Sequence, residues 1–274
     1  MSIAEVQRRG CYFYHIPKTA GMSAWQLLEW AYPEKNICPG RMWEDIITVP
    51  AETLAGYDVY RGHFLGYIED YLGRRFDTFT LLREPLDRTI SHYYHVRRAP
   101  EHPFHAEALA LSLADFCTHP RTRHMVQNYQ SGYLACLGRK NPRALAANMT
   151  TGDFAKYKLQ LALDPAPDDF PAPQELYQAA SDRLHSFVAV GLSERLEDSL
   201  TLIAYALGLP RPPAFSARNV GANRPATVDR KAISAIRAHT EVDQALYDSV
   251  QKRFEQNLKS AIEGYSSQRA GEPG

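Results

Sequence analysis

Cys11-Tyr12-Phe13-Tyr14-His15-Ile16-Pro17-Lys18-Thr19-Ala20-Gly21-Met22-Ser23 changes character twice. Up to Ile16 it is aromatic and β-branched with no helical period, which predicts a buried strand. A Pro-Lys-Thr-Ala-Gly turn follows. From Ser23 onward Trp25, Leu27, Leu28, Ala31 and Tyr32 fall at helical spacing until Pro33 ends the run. Strand, tight loop and helix then recur down the chain. Residues 57–61 predict a second strand ending at Gly62-His63, and residues 78–82 a third ending at Arg83. Pro85 suits the first turn of a helix through Ile90, Tyr93, Tyr94 and Val96, since its missing N–H has no partner to lose there. Residues 187–190 predict a short strand with a helix at 196–207 behind it, and an amphipathic segment spans 125–137. Strands alternating with helices predict an α/β fold, a central parallel sheet with helices on both faces.

A chain of 274 residues, 45% hydrophobic and 23% charged, has the material for one large core. The expected organisation is a single domain over 1–265, closed by one long or broken helix pair at 229–262, with 266–274 as a frayed tail. Lysine plus arginine (31) equals aspartate plus glutamate (31), so no bulk field is expected to hold a nucleic acid or an anionic membrane, and any anion site must be built locally. The four cysteines form no C-x-x-C pair, which argues against a zinc site or a disulfide frame and for a reducing compartment. No apolar run reaches membrane length, and no charged-then-apolar leader opens the chain. Only ten residues precede the first predicted strand, so neither anchor nor stem is expected, and the location expected is cytoplasmic.

In a sheet of this kind ligands bind beyond the carboxyl ends of the strands, where amides at a helix N-terminus face anions. Lys18 to Ser23 occupy that place. Ala20 and Gly21 let the backbone wrap closely, the loop amides including that of Met22 donate, Thr19 and Ser23 add hydroxyls, and Lys18 adds charge. The order G-x-x-x-x-G-K-[ST] is absent and the lysine precedes the glycine, so a nucleoside-triphosphate loop is not expected.

His15 to Ser23 resembles the 5′-phosphosulfate loop of the sulfotransferase 2 family, which includes the heparan sulfate 2-O-sulfotransferases and the chondroitin and dermatan enzymes. The resemblance implies a P-loop-like PAPS-dependent sulfotransferase fold in a bacterial-type soluble member. The implied co-substrate is 3′-phosphoadenosine 5′-phosphosulfate (PAPS), with no metal. Family members often have threonine where this chain has Met22, so a hydroxyl is lost there. The donor carries a 3′-phosphate and needs a second anion pocket. Arg83-Glu84-Pro85-Leu86-Asp87-Arg88-Thr89-Ile90-Ser91 is similar to the family's 3′-phosphate segment, with Arg83 at a strand end and Ser91 two turns into the next helix matching its ligands. Arg88 is expected to pair with Glu84 at i,i+4.

Gly62-His63 is similar to the place where heparan sulfate 2-O-sulfotransferases keep their catalytic histidine. An imidazole titrates near neutral pH, as a general base must. His63 is therefore the expected base, Lys18 the cation on the leaving phosphate, and His15 a residue that shapes the loop. Residues 127–134, 190–194 and 216–225 are similar to weaker stretches of the family, and the resemblance reaches from Tyr12 to about Phe254. The last of these stretches implies that Arg218 or Arg224 contacts the 3′-phosphate or adenine, an exposed basic loop being the alternative. His92 and His95, like His102 and His105, stand three apart, but no carboxylate or cysteine joins them at zinc spacing, so no metal is expected. His92, beside Ser91, is placed to face an acceptor.

The expected reaction moves a sulfuryl group from PAPS to a hydroxyl of an acceptor, a saccharide, lipid or small metabolite, by in-line attack with a histidine base. A P-loop-type kinase using ATP and magnesium is an alternative, for which Thr19 supplies a hydroxyl after the lysine but no acidic strand end is evident. A catalytically silent nucleotide- or glycan-binding module is another, against which Lys18 and His63 speak. Acceptor contacts are expected from the variable segments 99–124 and 148–173.

Overall fold

The computed structural model describes residues 10–136, 140–215 and 227–270. Four strands, β1 (Gly10–Tyr14), β2 (Val59–Gly62), β3 (Phe76–Leu82) and β4 (Ala189–Leu192), form one parallel sheet in the order β2-β1-β3-β4. The expected α/β architecture is therefore present. Pairing of Tyr14 with Gly62 and of Phe13 with Phe79 sets the carboxyl ends of β1, β2 and β3 side by side. The chain leaves β1 for β2 on one side and then crosses to β3 on the other, and such a reversal opens a crevice beyond the strand ends.

Every residue of β1 and β2 is buried, which requires cover on both faces of the sheet. One face of β1 buries two tyrosines because each phenol finds a carbonyl: Tyr12 donates to Leu65 O at 3.0 Å and Tyr14 to Tyr133 O. On the other face Phe13 stacks on Phe79, ring centroids 5.0 Å apart. Each such buried ring contributes about 1.5–3 kcal/mol over an exposed one. Where β1 ends, Thr80 Oγ1 donates to Tyr14 O at 2.7 Å and fixes the departure of the loop that follows.

The helices that matter for the site are α1 (Gly21–Ala31), α2 (Trp43–Ile46), α3 (Pro85–Arg98), α4 (Tyr129–Ala135) and α5 (Lys158–Leu163). Beyond β4 come α6 (Leu196–Ala206), α7 (Arg230–His239) and α8 (Glu241–Ala270), with further short helices in the connections. The expected C-terminal pair is broken at Thr240. Its second helix does not fray at 266 but runs to Ala270, because Tyr265 is buried, donates to Leu209 O at 2.9 Å and packs on Tyr205 with centroids 5.2 Å apart. Among the described residues no helix is long and apolar enough to cross a membrane. All four cysteines are free thiols.

Candidate active site

A cavity of about 510 Å³ lies beyond the ends of β1, β2 and β3, lined among others by Lys18, Ala20, Gly21, Met22, His63, Arg83 and Ser91. Segments far apart in sequence thus meet at one place. The loop after β1 adopts an unusual backbone: Lys18 has φ 74° and Ala20 φ 66°, the left-handed region that side chains disfavour. Three contacts hold it there. The Thr19 hydroxyl donates to Ile16 O at 2.9 Å, Arg83 Nη1 donates to Lys18 O at 3.3 Å, and Gly21 lies so close to His15 that a Cβ would clash with the imidazole at Nε2. Helix α1 starts at Gly21 with no side-chain cap from Ala20, and Ser23 N already donates to Ala20 O at 3.1 Å, so the amides ahead of it at the helix N-terminus are the ones that could face an anion. The hydroxyl of Thr19, expected to bind the anion, is instead buried under the loop, and Ser23 is buried too; neither lines the cavity.

Burial pushes the Lys18 ammonium down to about 8, and Arg98, Arg83 and Arg88 push it the same way. An ammonium held down by burial and by three guanidinium groups is relieved by an anion. Arg98 was not anticipated, although Ser91, His95 and Arg98 stand at i, i+4 and i+7 on α3 and so share a face. Arg83 is held from behind by a polar chain. The Gln130 side chain accepts from Arg83 N at 3.0 Å and donates to Arg83 O at 2.8 Å, while Gln130 N and Ser131 N donate to the carboxylate of Asp243 on α8 at 3.1 and 2.7 Å. The nearest acid to the Arg83 side chain, Glu194, stands 4.0 Å from Nε.

Arg88 does not pair with Glu84. The Glu84 carboxylate caps α3 by accepting from Asp87 N at 2.8 Å, and Arg88 turns inward to full burial. There its guanidinium lies 4.4 Å over the Tyr129 ring and donates to Met125 O and, at 3.1 Å, to His92 Nδ1. A guanidinium only donates, so His92 Nδ1 is the bare nitrogen and Nε2 carries the hydrogen. His92 lines the cavity as a neutral donor, and burial together with Arg88 holds its pKa far below the usual histidine range.

His63 has the opposite tautomer. Its Nδ1 lies 3.0 Å from His15 O, and a carbonyl only accepts, so Nδ1 carries the hydrogen and Nε2 keeps the free lone pair. The near-neutral titration expected of it does not hold: burial pushes its pKa down to about 4, with the His15 carbonyl acting against this and Lys18 reinforcing it. The ring stacks on that of His15 at 4.4 Å. Gly62 is needed beside it, because Arg41 crosses the end of β2 so closely that a Cβ would meet its carbonyl, and His63 N donates to that carbonyl at 2.8 Å.

Sequence reasoning placed acceptor contacts within 148–173 but singled out neither Gln160 nor Asp164. The Gln160 amide nitrogen donates to His63 O and to Asp164 Oδ1, both at 2.9 Å, and Gln160 N donates to Glu44 of α2 at 2.9 Å. Burial pushes the Asp164 carboxyl up to about 7 against the pull of Gln160 and Lys140. Both residues line the cavity. They fall where the sequence shows only the start of a Pro/Asp-rich break, which carries no motif. Arg218 and Arg224 lie outside the described residues. Among the described residues no group of three or more His, Cys, Asp or Glu is arranged to hold a metal ion. No protein-family model and no curated protein matched this chain.

Proposed function

We propose that this chain is a PAPS-dependent sulfotransferase of the P-loop-like sulfotransferase fold that transfers a sulfuryl group to an acceptor hydroxyl. The observation that carries the reading is the meeting, in one cavity, of a loop carrying Lys18, a second cation, Arg83, on a neighbouring strand end, and a histidine with a free Nε2. In this reading the amides of residues 19–22 and Lys18 receive the 5′-phosphosulfate, and Arg83 and Ser91 receive the 3′-phosphate. The acceptor oxygen bonds to sulfur as the bond from sulfur to the 5′-phosphate oxygen breaks. His63 Nε2 takes the acceptor's proton, and Lys18 meets the electron pair that leaves with the phosphate. The hydroxyl that a magnesium-dependent kinase would use, that of Thr19, is buried and bonded to Ile16 O.

A thermal-shift comparison tests the donor. At about 100 times its Kd, 3′,5′-ADP should add about 2.7 kcal/mol and raise Tm by several degrees, with ATP and magnesium giving a clearly smaller shift. The reverse ranking would favour the kinase. Lys18 supplies a second check. With a pKa of about 8 in the free protein, it is about half protonated at pH 8, and a bound phosphate raises that pKa, so binding should take up about half a proton. Calorimetry in buffers of different ionisation enthalpy reads this directly; zero uptake would remove Lys18 from the phosphate.

A further inference from the structure

Away from the cationic loop the same cavity has a differently built region. Tyr133 is fully buried and its hydroxyl has no hydrogen-bond partner among the described residues, although a buried phenol ordinarily finds one. Asp164 lines the same cavity as Tyr133. Its Oδ1 is committed to Gln160, so Oδ2 is the oxygen that a ligand's donor would meet. Because the Gln160 amide binds His63 O and Asp164 together, a molecule seated at His63 sits beside Asp164.

Among the described residues lining the cavity, the lysine and arginine are Lys18 and Arg83, both on the anion side, while the acids are Glu101 and Asp164. The lining imidazoles of His92, His95, His102 and His124 are all pushed towards the neutral form by burial. Once a donor has occupied Lys18 and Arg83, no cation is left among the described lining residues to receive a carboxylate or sulfate, and the ammonium of Lys140, beside Asp164, is committed to the carbonyls of Ala162 and Asp164 at 2.9 and 3.2 Å. A volume of about 510 Å³ shared with a donor leaves room for a compact molecule, not a polymer segment of many units.

We propose, resting on the sulfotransferase reading above, that Asp164 and Tyr133 form the acceptor subsite. Its ligand is a compact molecule without acidic groups, of monosaccharide or aryl-alcohol size, that gives a second donor, hydroxyl or ammonium, to Asp164 while its reacting hydroxyl lies at His63. The Asp164 charge is held at a cost to stability. Its folded pKa lies above the unfolded value of 3.8, so ionisation opposes folding as pH rises from about 4 to about 7.

The test uses 4-nitrophenyl β-glucoside, β-glucosaminide and β-glucuronide, which share one skeleton and differ in charge. Their binding to the full chain is measured at pH 8 by ligand-observed NMR, with and without saturating 3′,5′-ADP. The glucoside and the glucosaminide should bind at millimolar concentration, and with saturating 3′,5′-ADP present the glucuronide should bind about tenfold or more weakly. Asp164→Asn should reduce that discrimination to less than about threefold while raising Tm at pH 8 and keeping the 3′,5′-ADP shift. Tyr133→Phe, which removes only the hydroxyl, should weaken the glucoside several-fold and serves if Asp164→Asn fails to fold. Equal or tighter binding of the glucuronide in the presence of 3′,5′-ADP, unchanged discrimination in Asp164→Asn, or no binding of any of the three would overturn the subsite. If 3′,5′-ADP gives no shift while the glycoside ranking holds, the donor reading fails and the subsite stands.

Discussion

Replacing His63 by alanine is expected to lower turnover about 10² to 10⁴-fold while leaving 3′,5′-ADP affinity within about twofold. The split follows from geometry. His63 Nδ1 is spent on the His15 carbonyl, so the ring is oriented from behind and only Nε2 takes part in chemistry. The nucleotide's phosphates are assigned to the loop amides, Lys18, Arg83 and Ser91, which the substitution does not touch. The pH profile of the wild-type protein adds a readout that a purely structural role would not produce. With its pKa near 4 in the free protein, His63 stays unprotonated through neutral pH, and kcat/KM should lose its acid limb only near that value. In kcat the limb should move upward, because a bound anionic donor offsets Lys18, one of the groups that hold the imidazole down. Stability moves in the matching sense. Between about pH 6.5 and 4 the unfolded chain binds a proton that folded His63 refuses, so stability falls as pH falls through that window, and His63→Ala should flatten the slope. Unchanged turnover in the variant removes His63 from the mechanism.

Arg83→Ala is expected to weaken 3′,5′-ADP about 10- to 100-fold and 5′-AMP less than about threefold, the size of one charge-assisted hydrogen-bonded contact to the 3′-phosphate. Titration calorimetry with both ligands measures the difference. The backbone of Arg83 stays clamped by Gln130 whatever its side chain, so the strand end is retained. The substitution does remove the Nη1 bond to Lys18 O, which would disturb the 5′ side equally for both nucleotides. Equal losses would therefore mean that Arg83 acts through the loop and not on the 3′-phosphate.

Much of this site is legible in the sequence because its parts are local. Strand ends and helix starts are written in short range: the aromatic run before Pro17, Gly62 before His63, Pro85 after Arg83. A parallel sheet then aligns those ends without further instruction. What escapes is whatever depends on a side chain's direction. Glu84 and Arg88 have the spacing of an ion pair, yet Glu84 is the cap of α3 and Arg88 faces the buried flank, towards Tyr129. Thr19 sits in the loop after β1, where a hydroxyl facing an anion is expected, yet its hydroxyl donates to Ile16 O. Gln160 and Asp164 reach the site through a fold contact, nearly a hundred positions after His63, that no local pattern announces. The C-terminal helix outlasts its predicted end because one tyrosine, Tyr265, is docked by a distant carbonyl.

The left-handed backbone at Lys18 and Ala20 has a kinetic consequence. A non-glycine residue persists in that region only where its surroundings over-determine it, at a cost on the order of 1–3 kcal/mol each. Here the Thr19, Arg83 and His15 contacts do so before any ligand arrives. Such a loop has little shape left to find on encounter. Association of 3′,5′-ADP should therefore be a single exponential whose rate rises linearly with ligand concentration, without the plateau that marks a slow rearrangement.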